Sequence, residues 1–221
     1  MLDALRHVDT WIFDLDNTLY PPGANLFGQI DVKMGEYIQR LLACDPVEAR
    51  RVQKAFFHSH GTTLSGLMEH HGVEPNDFLD YVHDIDLSVI AEDRRLVRTI
   101  GELPGRKLIF TNGDERYARR VLDKLGLGAS FEAVHDIHAC GYLPKPAADS
   151  YRKLCERLAI TPDRALFVED MARNLRPAKA LGMVTVWVNN GSERGAHDAS
   201  PHYIDYEIAD VGDWLEGVMN G

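Results

Sequence analysis

Two aspartates separated by one residue, Asp14 and Asp16, directly follow the short apolar run Trp11-Ile12-Phe13. A carboxylate can attack a phosphorus atom and form an aspartyl-phosphate. A second carboxylate nearby can protonate the leaving alcohol and then deprotonate the attacking water. The pair therefore favours hydrolysis of a phosphate ester, with Asp14 as nucleophile and Asp16 as acid and base. The D-x-D-x-T string alone is weak evidence, because it arises by chance in many chains of this length.

Polar residues also end the later apolar runs of the chain, in the order Thr111-Asn112-Gly113 and then Glu169-Asp170. Between these two segments lies Lys145, flanked by prolines on both sides. Ligands of an open parallel sheet bind beyond the carboxyl ends of its strands, so these side chains are expected to meet there. The combination and order of the four segments indicate one shared site far more strongly than any segment does alone.

Carboxylates crowded at one place repel one another, and a divalent cation relieves that repulsion. A set of oxygen ligands with room for water suits Mg²⁺, which in turn attracts phosphate. Lys145 can neutralise a further part of the phosphate charge. The hydroxyl of Thr111 and backbone N–H groups near Asn112 and Gly113 can hold the phosphate oxygens.

The elements that position these residues are predicted from hydrophobic periodicity. Residues 114–125 and 146–159 follow a helical period; in the first, Tyr117, Val121 and Leu122 share one apolar face. Strands alternating with helices predict an α/β fold with a Rossmann-like, doubly wound parallel sheet. The apolar runs typical of buried strands lie at 11–13, 108–110, 165–168 and 184–188.

The stretch from about residue 24 to 100 is rich in helix formers and has few strand-like runs. Its breaks near Asp45-Pro46, His60–Thr63 and Gly72–Pro75 predict about four short helices inserted after the first strand. We therefore expect a catalytic core of residues 1–22 and 102–221, and a small helical cap of residues 23–101. Tyr20–Gly23 reads as a turn and could also be the hinge of that cap.

The net charge of the chain limits the classes of partner that it can bind. A formal net charge of −10 argues against binding to nucleic acids or anionic membranes. It would also repel a small anionic substrate, which would need a local cation to bind. The partner expected from the phosphate chemistry above is a small phosphorylated metabolite. Its three cysteines, Cys44, Cys140 and Cys155, have no metal-ligand spacing and are expected to be reduced and mostly buried. The acidic N-terminus and the lack of a long apolar run favour a cytoplasmic protein. The composition does not indicate which oligomeric state the protein has.

Taken in order, the four segments resemble the motifs of the haloacid dehalogenase-like hydrolase superfamily, over nearly the whole chain. The resemblance implies that Asp14 is nucleophile and Mg²⁺ ligand, and that Asp16 is acid and base with its carbonyl on the metal. Lys145 would balance charge, and Asp170 would complete the metal site. By the same resemblance, Thr111 would bind the phosphoryl group with help from Asn112, while Glu169 would either ligate the metal or support it.

Within that superfamily the sequence is most similar to the pyrimidine 5'-nucleotidase group, through Phe13–Pro21 and Gly61–Leu67. Asn174 also fits that group, whereas many relatives have an aspartate there, so direct metal contact by Asn174 stays open. The implied substrate is a pyrimidine nucleoside 5'-monophosphate.

Several alternative functions stay open beside that one. A sugar-phosphate or phosphoglycolate phosphatase would use the same chemistry. A dehalogenase is disfavoured, because alkyl-halide displacement does not require the acid that Asp16 supplies. A phospho-receiver is disfavoured by the size of the helical insert, and a catalytically inactive binding protein by the presence of all the site residues together.

The predicted break at His60–Thr63 carries two readings. Thr62 and Thr63 could contact the substrate, or they could cap a helix. The histidines of the same region are expected to be solvated or hydrogen-bonded, with a zinc site as the alternative. They are His58, His60, His70, His71 and His83.

Overall fold

The computed structural model describes residues 2–192 and 195–220. Their centre is a six-stranded parallel sheet in the order β3-β2-β1-β4-β5-β6. The predicted doubly wound, Rossmann-like sheet is confirmed. Its strands are β1 Thr10–Phe13, β2 Arg106–Phe110, β3 Ala133–His135, β4 Ala165–Glu169, β5 Val184–Val188 and β6 Tyr206–Ile208.

Helices cover both faces of this sheet and fill the long connection between β1 and β2. In chain order they are α1 Leu2–Leu5, α2 Leu26–Leu42, α3 Pro46–His60, α4 Thr63–His71, α5 Pro75–Val82, α6 Arg94–Glu102, α7 Glu115–Lys124, α8 Ala148–Leu158, α9 Ala172–Ala180 and α10 Val211–Asn220. Within the described residues, 3-10 helices lie at Pro22–Ala24, Leu87–Val89 and Pro162–Arg164.

Strand β1 shows why the sheet is apolar on both faces. Ile12 packs into one hydrophobic cluster, together with Leu108 and Phe167 of the neighbouring strands. Trp11 and Phe13 point the other way and belong to a second, larger cluster. A parallel sheet with helices on both sides buries every strand residue, which explains the continuous apolar runs of the sequence.

The sheet register brings the ends of three strands together. Phe13, the last residue of β1, pairs with Ile109 of β2 and with Val168 of β4. Asp14 therefore leaves the sheet beside the ends of both neighbouring strands. Strand β1 is also where the chain order reverses across the sheet, and this is the position at which ligands bind in open α/β folds.

The helical insert, which we define as residues 22–102, is built from α2 to α6. Its breaks lie where the sequence predicts them: Asp45 caps α3 by accepting from Glu48 N–H, and Thr62 caps α4 by accepting from Ser65 N–H. Two of its helices are longer than the short helices expected, with 17 residues in α2 and 15 in α3. Few residues of these two helices are buried, so their apolar pattern does not mark their full length in the sequence.

Helix α6 of the insert packs against α10, a helix of the sheet-bearing part. Its Arg95 lies 3.1 Å from Asp210, and Arg98 pairs with Glu216 of α10. The C-terminal end of the insert is therefore tied to the sheet.

Two expectations from composition can be compared with this structure. Among residues 2–192 and 195–220, no helix combines the length and apolar character needed to cross a membrane. All three cysteines are free thiols; Cys140 is buried, whereas Cys44 and Cys155 are only partly buried.

Candidate active site

Lys145 lies at the centre of the polar cluster beyond the strand ends, with only 2% of its surface exposed. Its ammonium donates to Asp14 Oδ1 at 2.6 Å, to Glu169 Oε2 at 2.7 Å and to Phe110 O at 2.9 Å. An ammonium has three N–H donors, so all of them are used. Burial acts against its charged form, but the charges of Asp14 and Glu169 raise the pKa of Lys145 above its ordinary value.

Asn112 fixes the backbone of Lys145 from the end of β2. Its Oδ1 accepts from Lys145 N–H at 2.8 Å, and its Nδ2 donates to Lys145 O at 3.4 Å. Because both ends of the amide face the lysine backbone, Asn112 in this structure positions Lys145. Help from Asn112 in binding the phosphoryl group, which the family resemblance implies, stays a prediction.

The hydroxyl of Thr111 is buried beside this pair. Its Oγ1 accepts from Gly113 N–H at 3.0 Å, which leaves its own proton for a ligand. The N–H of Gly113 is thereby engaged inside the turn. Phosphate contact by Thr111, Asn112 and Gly113 stays a prediction.

Asp14 is held from two sides. Lys145 donates to its Oδ1, and Thr18 Oγ1 donates to its Oδ2 at 3.1 Å. The same Thr18 hydroxyl accepts from Asp170 N–H at 3.1 Å, so it links the ends of β1 and β4. Burial and the charge of Glu169 raise the pKa of the Asp14 carboxyl.

Asp14, Glu169 and Asp170 place carboxylate oxygens within 4.8 Å of one another. Burial, followed by the charges of Glu169 and Asp14, also raises the pKa of Asp170 well above its ordinary value. One lysine faces three buried acids, so a bound cation would relieve the remaining repulsion.

Asn174, in the first turn of α9, supplies a further oxygen near these acids. Its Oδ1 is buried and has no hydrogen-bond partner among the described residues, although Asn174 lines the same cavity as the three acids. An orphaned buried oxygen beside carboxylates fits a cation or its bound water. This donor set contains oxygen only, which is the type that Mg²⁺ prefers.

Glu169 is placed differently from its neighbour. Its Oε2 accepts from Lys145, and its Oε1 accepts from Met171 N–H at 3.1 Å. Both carboxylate oxygens thus already have protein donors. Asp14 also accepts at both of its oxygens, so this arrangement leaves both the supporting role and direct ligation open for Glu169.

Asp16 is oriented by two phenols instead of a cation. Its Oδ1 accepts from Tyr20 OH at 2.5 Å and from Tyr117 OH at 2.7 Å. Burial and the charge of Asp16 raise the pKa values of both tyrosines well above their ordinary value, so the phenols keep their protons and act as donors. Asp16 is therefore held apart from the Asp14–Lys145 pair, as a separate acid or base requires.

Tyr117 is in turn packed against the helical insert. The ring of His83, which follows α5, stacks on the Tyr117 ring with 4.1 Å between centroids and 9° between planes. His83 Nδ1 lies 2.5 Å from Asp114 Oδ2, and Asp114 Oδ1 caps α7 by accepting from Tyr117 N–H at 2.9 Å. The insert is thereby connected to the residue that orients Asp16.

A cavity of about 360 Å³ extends from the acids to the inner side of the insert. Thr62 and Thr63 both line it, but each also hydrogen-bonds within the insert: Thr62 caps α4, and Thr63 Oγ1 donates to Gln53 O at 3.3 Å. The capping interpretation is confirmed for Thr62. Substrate contact by either threonine stays a prediction. The insert side chains that line the cavity include Phe27, Gln53, Lys54, Phe57, Phe78 and His83.

Comparison with known proteins agrees with this geometry. The family model described as haloacid dehalogenase-like hydrolase matches residues 8–182, which span the three strand ends and Lys145. The chain belongs to this hydrolase family.

Two curated relatives of this hydrolase are similar over most of its length. It is 25% identical to human N-acylneuraminate-9-phosphatase, over 97% of this chain and 96% of the human protein. It is 26% identical to phosphate metabolism protein 8 of Saccharomyces cerevisiae, over 82% of this chain but only 61% of the yeast protein. The hydrolase thus spans less than two thirds of that longer relative.

Among solved structures, the HAD phosphatase of Thermococcus onnurineus has the same fold. The two superpose with a TM-score of 0.67 at 20% identity, covering 97% of this chain and 99% of the other. At this identity the likeness shows the fold alone.

Four residues of the hydrolase's site lie outside the set expected from its sequence: Thr18, Tyr20, His83 and Tyr117. Thr18 and Tyr20 lie within the quoted motif, so the 4-residue spacing of Thr18 from Asp14 was a usable signal. Tyr117 shares the apolar face of α7, and His83 ends an inserted helix, so neither position stands out as polar in the sequence.

Proposed function

We propose that this hydrolase is a magnesium-dependent phosphomonoesterase that forms an aspartyl-phosphate on Asp14. The observation that supports it most is that two acids lining one cavity are held by different side chains. Asp14 is buried and held by Lys145 and Thr18, whereas Asp16 is oriented separately by two tyrosine hydroxyls. Two-step hydrolysis needs one carboxylate as nucleophile and another for proton transfer.

In the first step, an oxygen of Asp14 forms a bond to phosphorus while the bond from phosphorus to the leaving oxygen breaks. The carboxyl of Asp16 donates its proton to that leaving oxygen. In the second step, the Asp16 carboxylate takes a proton from water, whose oxygen attacks phosphorus and displaces Asp14. Inorganic phosphate is released, and the Asp14 carboxylate and the protonated Asp16 carboxyl are regenerated. Lys145 offsets negative charge throughout, and Thr111 donates its hydroxyl proton to a phosphoryl oxygen.

The residues that would hold Mg²⁺ are Asp14, Asp170 and the backbone carbonyl of Asp16. Asn174 Oδ1 is available as a further ligand or as an acceptor for a metal-bound water. When bound, Mg²⁺ supplies positive charge that stabilises the phosphoryl oxygens. Glu169 supports this set by holding Lys145.

For the helical insert we propose the role of a cap, the unit predicted as residues 23–101. It contributes the inner wall of the cavity and so would exclude water and select the leaving group. Because α6 packs on α10, the movable part would be α2 to α5.

For the substrate we propose a pyrimidine nucleoside 5'-monophosphate. The aromatic side chains of Phe27, Phe57 and Phe78 line the insert side of the cavity, and a flat base can stack on such rings. A sugar phosphate is the second candidate, favoured by the likeness to human N-acylneuraminate-9-phosphatase over nearly the full length of both chains.

A panel of phosphate esters separates the two candidates. With Mg²⁺ present, we expect higher kcat/KM for UMP and CMP than for AMP, sugar phosphates and phosphoglycolate. Preference for N-acylneuraminate 9-phosphate or another sugar phosphate would overturn the nucleotide assignment and keep the chemistry. No hydrolysis of any ester, with a variant of Asp14 as the blank, would overturn the proposed function itself.

A further inference from the structure

A second cluster of metal-ligating side chains lies in the helical insert, where the end of α3 meets α4. His60 Nε2 is 3.2 Å from His70 Nε2 and 3.5 Å from Glu69 Oε2. All three ligand atoms lie within 4.8 Å of one another. Unlike the acids at the strand ends, this cluster combines two imidazoles with one carboxylate.

The tautomer of His60 suits a metal ligand. Ser59 Oγ lies 2.8 Å from Ala55 O and 2.6 Å from His60 Nδ1, so when its one proton goes to Ala55 O it accepts from His60 Nδ1–H. His60 Nε2 therefore carries a lone pair directed at His70. Fixing the ring through its other nitrogen is the arrangement that metal-binding histidines commonly have.

The distances match a tetrahedral ion. With Zn–N bonds of about 2.0–2.1 Å, two nitrogens on a tetrahedral zinc are separated by about 3.3 Å. The separation of the two Nε2 atoms is close to this value. Three protein ligands would leave the fourth position to water, and a carboxylate 3.5 Å from His60 can complete the set by rotation of an exposed side chain.

The two rings are held in place by Phe56. His70 stacks on it with 5.3 Å between centroids and 4° between planes, while His60 meets its edge at 5.5 Å. Gly66 of α4 makes room for this ring, because a Cβ there would lie 2.3 Å from Phe56 Cγ. The helices thus approach closely at this point, and the imidazoles need little reorganisation to bind an ion.

We infer that His60, Glu69 and His70 bind one Zn²⁺ that clamps the end of α3 to α4. Without the ion, His70 Nε2–H donates to His60 Nε2. On binding, the proton of His70 moves from Nε2 to Nδ1, and both Nε2 lone pairs face the metal. The clamp lies directly before the Gly61-Thr62 turn. A Cβ on Gly61 would lie 2.9 Å from Pro144, and Ser65 Oγ donates to Tyr142 O, so this turn contacts the segment that precedes Lys145.

The test is titration of the full, tag-free, metal-stripped chain with ZnCl₂ in the presence of excess Mg²⁺, which competes with zinc for the acid cluster. Calorimetry should show one site per chain, and Co²⁺ in place of Zn²⁺ should give the visible absorption bands of a tetrahedral ion. His70→Ala and Glu69→Gln should each weaken binding at least about tenfold, since each removes a ligand. Zinc should raise the Tm of the native chain and not that of His70→Ala.

The matched control is His71→Ala, which removes the adjacent exposed histidine of the same helix and should bind like the native chain. Unchanged zinc affinity in both His70→Ala and Glu69→Gln would overturn the site. Loss of binding in Asp170→Asn but not in His70→Ala would also overturn it, since the ion would then occupy the acids. Because the readout is binding, its failure is distinct from any failure of the proposed phosphatase activity.

Discussion

His83 Nδ1 lies 2.5 Å from Asp114 Oδ2. This buried contact joins the helical insert to Asp114, the N-cap residue of helix α7. The His83 ring also covers the face of Tyr117, whose hydroxyl donates to Asp16. Two successive contacts, from His83 to Tyr117 and from Tyr117 to Asp16, therefore connect the insert with the proposed acid and base. Movement of the insert would change the setting of Asp16 without any direct contact between the two.

Removing the His83 contact should lower both stability and turnover. A hydrogen bond to a charged group contributes about 1.5–3 kcal/mol, so His83→Asn should reduce the free energy of unfolding by roughly that amount. Loss of the ring over Tyr117 should also lower kcat more than it raises KM. Urea unfolding and steady-state kinetics measure the two effects. His71→Asn, at an exposed position, is the control; equal behaviour of the two variants would contradict the connection.

The Asp114 side of the same pair predicts a pH dependence. Burial alone would raise its pKa, but the hydrogen bond and charge of His83 lower the pKa of Asp114 below the ordinary value of 3.8. The stability that Asp114 contributes is therefore complete above that ordinary value and is lost as the pH falls through the lowered one. The native chain should be more stable than Asp114→Asn near pH 7, and the difference should begin to shrink as the pH falls below 3.8 and vanish below the lowered pKa. A difference that grows in acid would contradict this.

The two phenols on Asp16 should matter for proton transfer rather than for binding. General acid catalysis contributes about 10²–10⁴-fold, so Asp16→Asn should lose that much in kcat/KM with an alkyl phosphate. Tyr117→Phe and Tyr20→Phe should each lose less. All three losses in kcat/KM should shrink when p-nitrophenyl phosphate is the substrate, because kcat/KM reports the first step and this leaving group needs little protonation. Equal losses with both esters would argue against the assignment of Asp16.

Lys145 should be needed for stability as well as for activity. Removing one partner from a buried charge cluster costs about 3–5 kcal/mol, because the remaining charges lose their compensation. Lys145→Met leaves Asp14 and Glu169 facing each other, so it should be destabilised by about that amount and inactive. The penalty should fall as the pH is lowered and Asp14, whose pKa is raised, takes up a proton. Denaturant unfolding at two pH values checks this; a variant as stable as the native chain would contradict the cluster's role.

Much of the fold follows from the sequence because buried parallel strands are apolar throughout. Strands β1, β2, β4 and β5 were predicted from such runs. The two outer strands, β3 and β6, have only three residues each and carry polar side chains such as Glu207, so no apolar run marks them. Their place in the sheet depends on the strand beside them, which local sequence does not report.

The site also contains residues that the sequence predicts and residues that it does not. Asp14, Thr111 and the pair Glu169-Asp170 were predicted because each directly follows an apolar run, and parallel strands must end at one edge. Tyr117 was read as a core residue, correctly as far as its ring is concerned. That its hydroxyl reaches Asp16 depends on the rotation of α7 over the sheet, and the position of His83 depends on how the insert folds back. Such contacts between distant segments have no local pattern.

The central claim is that phosphate is transferred to Asp14 itself. The direct measurement uses Asp16→Asn with p-nitrophenyl phosphate and Mg²⁺, followed by an acid quench and mass spectrometry of the peptides. The first step needs little acid with this ester, whereas the second step lacks its base, so the intermediate should accumulate. We predict a phosphoryl group on the peptide that contains residue 14, and none when Asp14→Asn is added. A phosphoryl group on another residue, or steady release of p-nitrophenol from Asp14→Asn, would contradict the account.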